Sequence, residues 1–119
     1  RSSDLMNNKE KGDFGEKVAV NYLLSKGAKI LEKNYRLKIG EIDIIAKMED
    51  EIIFVEVKSR SNIKFGYPCE SVSFKKRKKI IGVANYYIIK NNLNNTPIRF
   101  DVIEVYLLEK RINHIMNAF

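Results

Sequence analysis

The chain has 119 residues, 45% hydrophobic and 31% charged, which suits one compact domain with a real core and a well-solvated surface. Twenty-two Lys and Arg against 15 Asp and Glu leave a formal net charge of +7, which favours a polyanionic partner. No apolar run approaches the roughly 20 residues that span a bilayer, no apolar secretory stretch opens the chain, and a single cysteine with a single histidine excludes an internal disulfide and a structural zinc site. A reducing cytoplasm is the expected compartment. Residues 1–5, ahead of Met6, read as an appended remnant outside the fold, and residues 6–119 as one domain.

Asp13-Phe14-Gly15-Glu16 predicts a helix start, with Asp13 as N-cap and Glu16 three residues later as its capping-box partner. Phe14, Val18, Ala19, Tyr22 and Leu23 recur at helical spacing, and Gly27 is the expected stop. Residues 28–37 read as a strand with Ile30, Leu31 and Tyr35 apolar. Two more strands follow, 40–45 and 52–58, around a polar tip at Glu49 and Asp50. Residues 59–70 contain Gly66 and Pro68 and read as a loop carrying the basic residues Arg60 and Lys64.

A second helix is predicted from Ser73 to about Lys90, with Ile80, Ile81, Ala84, Tyr87 and Ile88 as its buried stripe. Its first turns are Lys75-Lys76-Arg77-Lys78-Lys79, cations that oppose the helix dipole. They read either as a solvated charged face or as a contact to phosphate backbone. Residues 91–97 form a polar loop. Residues 98–108 read as a long last strand, with Arg99, Asp101, Ile103 and Val105 on one face and Phe100 and Val102 on the other. Strand, long helix, strand implies a right-handed crossover and parallel pairing. The expected fold is a single α/β (α+β) domain of order α-β-β-β-α-β, with a central mixed sheet flanked by helices.

The chemistry concentrates in the hairpin. If the strands fold back about Glu49 and Asp50, residues whose numbers sum to 99 lie opposite one another. Asp43 then faces Glu56, and Glu41 faces Lys58. Opposed Cβ atoms in an antiparallel pair are roughly 5 Å apart, and carboxylates that close share a proton or a cation. Glu56 and Lys58 share a face with Ile52 and Phe54, while Ile53, Val55 and Val57 take the other. An ordinary ion-pair cluster, with Glu41 as the local partner of Lys58, is the competing explanation. A one-residue slip would turn every side chain over.

These residues also carry a family resemblance. A glutamate on the first helix, then Gly40-Glu41-Ile42-Asp43, then Glu56-Val57-Lys58, resembles the PD-(D/E)xK nuclease superfamily, the restriction-endonuclease-like fold. Nearly the whole chain resembles the YraN-like family of small bacterial proteins, through Gly15-Glu16, Asn34-Tyr35-Arg36, the two hairpin segments, Arg99-Phe100-Asp101-Val102 and Asn117-Ala118-Phe119. Archaeal Holliday-junction resolvases are similar in size and in the placement of the acids. The resemblance implies that Asp43 and Glu56 are metal ligands with the Val57 carbonyl, that Lys58 orients the attacking water, and that Glu16 is a further acidic ligand. Glu41 would sit behind these ligands.

The implied function is an Mg²⁺- or Mn²⁺-dependent endonuclease acting on nucleic acid, DNA first, by structure rather than sequence. The competing reading is a non-catalytic nucleic-acid-binding module on the same scaffold. Arg36, Lys38, Arg60, Lys64 and the run from Lys75 through Lys76, Arg77 and Lys78 to Lys79 would hold the backbone. No membrane partner is expected, and a homodimer would let so small a nuclease reach two strands. Asp101 reads as the partner of Arg99, His114 as a surface or packing residue, and Cys69 as lacking any base that would make it a nucleophile.

Overall fold

The hydrophobic alternation on two neighbouring strands dictates a sheet covered on both sides. In the computed structural model, which describes residues 6–61 and 72–119, these are β2 (Gly40–Met48) and β3 (Glu51–Arg60). Ile53 and Val55 enter one core cluster with Ile44 and Ala46, while Ile52 and Phe54 enter another with Ile42 and Ile45. Helix α1 (Asn8–Ser25) covers the first cluster with Ala19 and Leu23. Helix α2 (Phe74–Lys90) covers the second with Ile80, Val83, Ala84 and Tyr87. Each fully buried Ile or Phe contributes about 1.5–3 kcal/mol relative to exposure, so the two-sided burial of β2 and β3 dominates the fold.

Strands β1 (Lys29–Leu37), β4 (Ile98–Tyr106) and β5 (Arg111–Ile115) complete a five-stranded sheet in the order β1-β2-β3-β4-β5. All neighbours are antiparallel except β3 and β4, which run parallel across the α2 crossover, as predicted. The β2–β3 register also matches the prediction. Met48 pairs with Glu51 and Ile44 with Val55, so partners sum to 99, and Glu49 takes a left-handed conformation (φ 55°) in the two-residue tip.

Four expectations are corrected. Helix α1 begins earlier, because Asn7 and Glu10 form the capping box: the Asn7 side chain accepts from the Glu10 amide at 2.8 Å and Glu10 accepts from the Asn7 amide at 3.0 Å. Asp13 is thus an interior residue paired with Lys9 at 2.9 Å, and Glu16 caps nothing. On α2, Val83 is buried where Ile81 was expected, and Ile81 is exposed, because the helix turns the 80, 83, 84, 87 row inward. The 59–70 loop begins later, since Ser59 and Arg60 still belong to β3; Lys64, Gly66, Pro68 and Cys69 lie outside the described residues. Finally, the last strand stops at Tyr106, a turn with Lys110 at φ 55° reverses the chain, and β5 adds a short edge strand that gives the order α-β-β-β-α-β-β.

One glycine sets how closely α1 approaches the sheet. A Cβ at Gly15 would stand 1.8 Å from the Ser59 Oγ and 3.1 Å from its Cβ. The Ser59 hydroxyl donates to the Lys11 carbonyl at 2.9 Å, so helix and strand are clasped at this point, next to Glu16. Helix propensity alone would make Gly15→Ala stabilising by about 1 kcal/mol. The clasp predicts the opposite sign, a loss of roughly 1–3 kcal/mol in urea unfolding from overpacking and the broken hydrogen bond. An unchanged or raised midpoint would contradict the clasp.

Candidate active site

The β2–β3 ladder ends at the pair Ile44–Val55. One residue further, the Asp43 carboxylate accepts the Val57 amide at 2.8 Å. A carboxylate is thereby drawn into the sheet beside Glu56, itself only 5% exposed. Glu56 is met by two ammonium groups. Lys76 from α2 forms an ion pair with its Oε2, and Lys58 lies 3.6 Å from the same oxygen. Over this cluster opens a cavity of about 430 Å³, with Glu41, Asp43 and Glu56 on one wall and Ser73, Lys75, Lys76 and Lys79 on the other. The close approach of α2 to the start of β2 shapes it: a Cβ at Gly40 would lie 3.2 Å from the Lys79 Cβ.

The electrostatics follow from burial and crowding. Burial, then the Glu56 charge and more weakly that of Glu16, push the Asp43 carboxyl up from its ordinary 3.8 to about 8, against the pull of the Val57 amide. Burial and the neighbouring Lys76 ammonium hold Lys58 below the usual lysine range. Burial also works against the charge on Lys76, but Glu56 outweighs it and holds Lys76 above that range. The Glu56 charge enters all three shifts, so the protonation of Asp43, Lys58 and Lys76 is linked.

Glu16 reaches this cluster from α1. Its carboxyl is raised by burial and by the charges of Glu41, Asp13 and Glu56, against the pull of Asn34. Asn34 sits in β1 with φ 52°, a left-handed conformation that asparagine tolerates better than most residues. Its influence on Glu16 was missed from sequence, as was the direct pairing of Lys76 with Glu56. A lone Asn in a strand, and one Lys among five basic residues, give no local signal.

The other assignments divide. Asp43, Glu56 and Lys58 come together, and Glu16 lies within electrostatic reach of them. Glu41 lines the cavity, but its ion pair is with Arg36 at 3.3 Å and not with Lys58, which lies against Glu56 instead. Of the basic run, Lys75, Lys76 and Lys79 face the cavity. Arg77 turns toward the Val72 carbonyl (3.1 Å) and the Phe119 ring, and Lys78 lies over Phe74. Lys38 is exposed in the β1–β2 turn, and Arg60 stands 3.8 Å from the buried Glu104.

A second polar cluster is structural. Asp101 is fully buried and accepts from Arg99 at 2.9 Å, as expected, and from the Asn117 amide at 3.1 Å. His114 lies 2.7 Å from Asp101 and 3.0 Å from the Tyr22 hydroxyl, so it packs β5 against β4 and α1. Burial acts against the Asp101 charge, but His114, Arg99 and Asn117 together hold its carboxyl below the usual range.

Among the described residues, no three His, Cys, Asp or Glu side chains form a group able to hold a metal ion by themselves. Mg²⁺ does not require such a cage. It keeps several waters and is held by one or two carboxylates together with substrate phosphate. The half-buried Asp43 carboxyl beside the buried Glu56, where a cation could replace the proton, fits that mode.

The raised Asp43 carboxyl has a measurable consequence. Between about pH 4 and 8 the folded protein keeps a proton that the unfolded chain releases, so stability falls as pH rises through this window. Urea unfolding at several pH values should show this decline in the wild type and a flatter profile in Asp43→Asn, which still accepts from Val57. Parallel profiles would contradict the coupling.

Comparison with known proteins gives the family of the chain. A UPF0102 protein of Clostridioides difficile (strain 630) is 99% identical over 114 residues, covering 96% of this chain and all of that protein. Relatives of the same description from Caldanaerobacter subterraneus subsp. tengcongensis (52% identity, 96% of this chain and 98% of that one) and Alkaliphilus oremlandii (51%, 94% and 99%) span almost the full length. Among solved structures, Pyrococcus furiosus SfsA in complex with Ca²⁺ is similar at 19% identity and a TM-score of 0.39, covering 92% of this chain and 64% of that one. Residues 15–105 match the family described as "Uncharacterised protein family UPF0102", and the chain belongs to that family, the YraN-like family whose motifs its sequence carries.

Proposed function

We propose that the protein is a metal-dependent endonuclease that hydrolyses phosphodiester bonds in nucleic acid, DNA in the first place, selecting structure rather than sequence. The observation that carries this reading is the half-buried Asp43 beside the buried Glu56, lining a cavity that Lys75, Lys76 and Lys79 line from α2. Two carboxyl groups held this close keep a proton between them unless a cation takes its place. Here they sit beside a row of cations in a chain of net charge +7, an arrangement suited to a phosphate and a divalent ion at once.

Asp43 and Glu56 would hold Mg²⁺ or Mn²⁺, with the Val57 carbonyl and, through water, Glu16. Bound there, the ion would polarise the phosphate and lower the pKa of a coordinated water. The chain's own groups would do the rest. Lys75 and Lys79 would hold the backbone at the cavity wall. Lys58, held below the usual lysine range, would orient the attacking water and accept or donate a proton more readily than an exposed lysine. Glu41 with Arg36 would fix the rim.

One observation favours a second reading, a nucleic-acid-binding module without catalysis. Lys58 and Lys76 both lie against Glu56 and neutralise it without any metal. Cleavage assays on branched and linear DNA with Mg²⁺ or Mn²⁺ separate the two. The endonuclease reading predicts metal-dependent cleavage that Lys58→Ala lowers by about 100-fold or more, with binding largely kept. A fully active Lys58→Ala enzyme would remove the role given to that lysine. Salt-sensitive binding with no cleavage in the wild type would establish the module instead.

A further inference from the structure

Helix α2 carries six Lys and Arg and no Asp or Glu between Phe74 and Lys90. One side packs into the core, but large apolar groups remain on the other. Phe74 is 76% exposed, Ile89 66% and Tyr86 48%. Core packing does not explain an open phenylalanine among lysines, since it buries little surface there. Phe74 also stands between Ser73 and Lys75, both of which line the active-site cavity. Each of the two open rings has a lysine beside it: Lys78 Nζ is 5.6 Å from the Phe74 centroid and Lys90 Nζ is 5.8 Å from that of Tyr86. Twelve residues of helix separate the rings by about 18 Å along the axis, a span of several nucleotides.

We propose that the exposed face of α2 is a stacking platform for unpaired nucleotides, with bases on Phe74 and Tyr86 and phosphates on the adjacent lysines. The substrate delivered to the neighbouring cavity is then a single-stranded or branched nucleic acid. This rests on the nucleic-acid reading of the site and names its substrate class. Aromatic rings interleaved with cations are how proteins hold single strands without reading sequence. Duplex bases are already stacked on one another and have no free face for either ring. A second copy of the chain fits the face poorly, because pairing two such helices would oppose cation to cation. An anionic membrane would match both the charge and the apolar groups, but it gives no reason for the ring–lysine pairs to begin at the mouth of a carboxylate cavity.

The test is fluorescence anisotropy with a labelled oligothymidylate and a duplex of the same length, across a salt series, beside co-sedimentation with phosphatidylglycerol vesicles. Phe74→Ala/Tyr86→Ala alters only exposed positions, and circular dichroism verifies its fold. The wild type is expected to prefer the single strand. The double variant should lose roughly tenfold or more of that affinity, with an unchanged salt slope and unchanged duplex binding. Phe74→Tyr/Tyr86→Phe should restore it. Lys75→Ala/Lys79→Ala should weaken both ligands and flatten the slope. If the aromatic variant binds like the wild type while the lysine variant is weakened, the platform is overturned and the nucleic-acid reading stands. If the wild type binds neither ligand at low salt, both fall. Vesicle binding that depends on Phe74 and Tyr86, with oligonucleotide binding indifferent to them, would overturn the platform in favour of a membrane surface.

Discussion

Two acidic side chains are forced together because β2 and β3 turn back on each other through only Glu49 and Asp50. That tip sets the register, and the register is locked by burial on both faces of both strands. Slipping by one residue would exchange the α1-facing and α2-facing clusters and place each against the wrong helix. The cost of holding Asp43 beside Glu56 is thus borne by the most hydrophobic part of the molecule. Where the ladder ends, the hydrogen bond from the Val57 amide keeps the Asp43 carboxyl beside Glu56.

The helices bring the remaining groups to that fixed point from opposite sides. Helix α1 delivers Glu16, at a distance set by the absence of a side chain on Gly15 and by the Ser59–Lys11 hydrogen bond. Helix α2 delivers Lys76, Lys75 and Lys79 from its first turns, where the helix dipole disfavours positive charge. Glu56, the partner of Lys76, offsets part of that unfavourable placement.

Much of this was legible in the sequence, for identifiable reasons. The alternation of Ile52, Ile53, Phe54 and Val55 announces a central strand, and the short polar tip leaves little freedom in register. Hence the Asp43–Glu56 juxtaposition could be predicted, and the parallel crossover through a long helix as well. What escaped depends on contacts distant in the chain or on ambiguous local signals. Asn7 and Asp13 stand six residues apart, each with a glutamate three residues on, and the capping box forms at the first of them. The edge strand β5 is five residues long, with an exposed Arg111 and four half-buried residues, too weak a pattern to read. Asn34 acts on Glu16 from a different element. Glu41 opposes Lys58 on paper, yet each found another partner, because the ladder gives way at Asp43.

We propose that Asp43 and Glu56 together bind a divalent cation. Isothermal calorimetry with Mg²⁺ and Mn²⁺ on the wild type and on an Asp43→Asn/Glu56→Gln variant, in the presence of an uncleavable phosphorothioate oligonucleotide to supply the phosphate, tests it most directly. The account predicts saturable metal binding by the wild type that the variant loses while still binding the oligonucleotide. Metal binding that survives in the variant, or is absent from a wild type that holds the oligonucleotide, would contradict it.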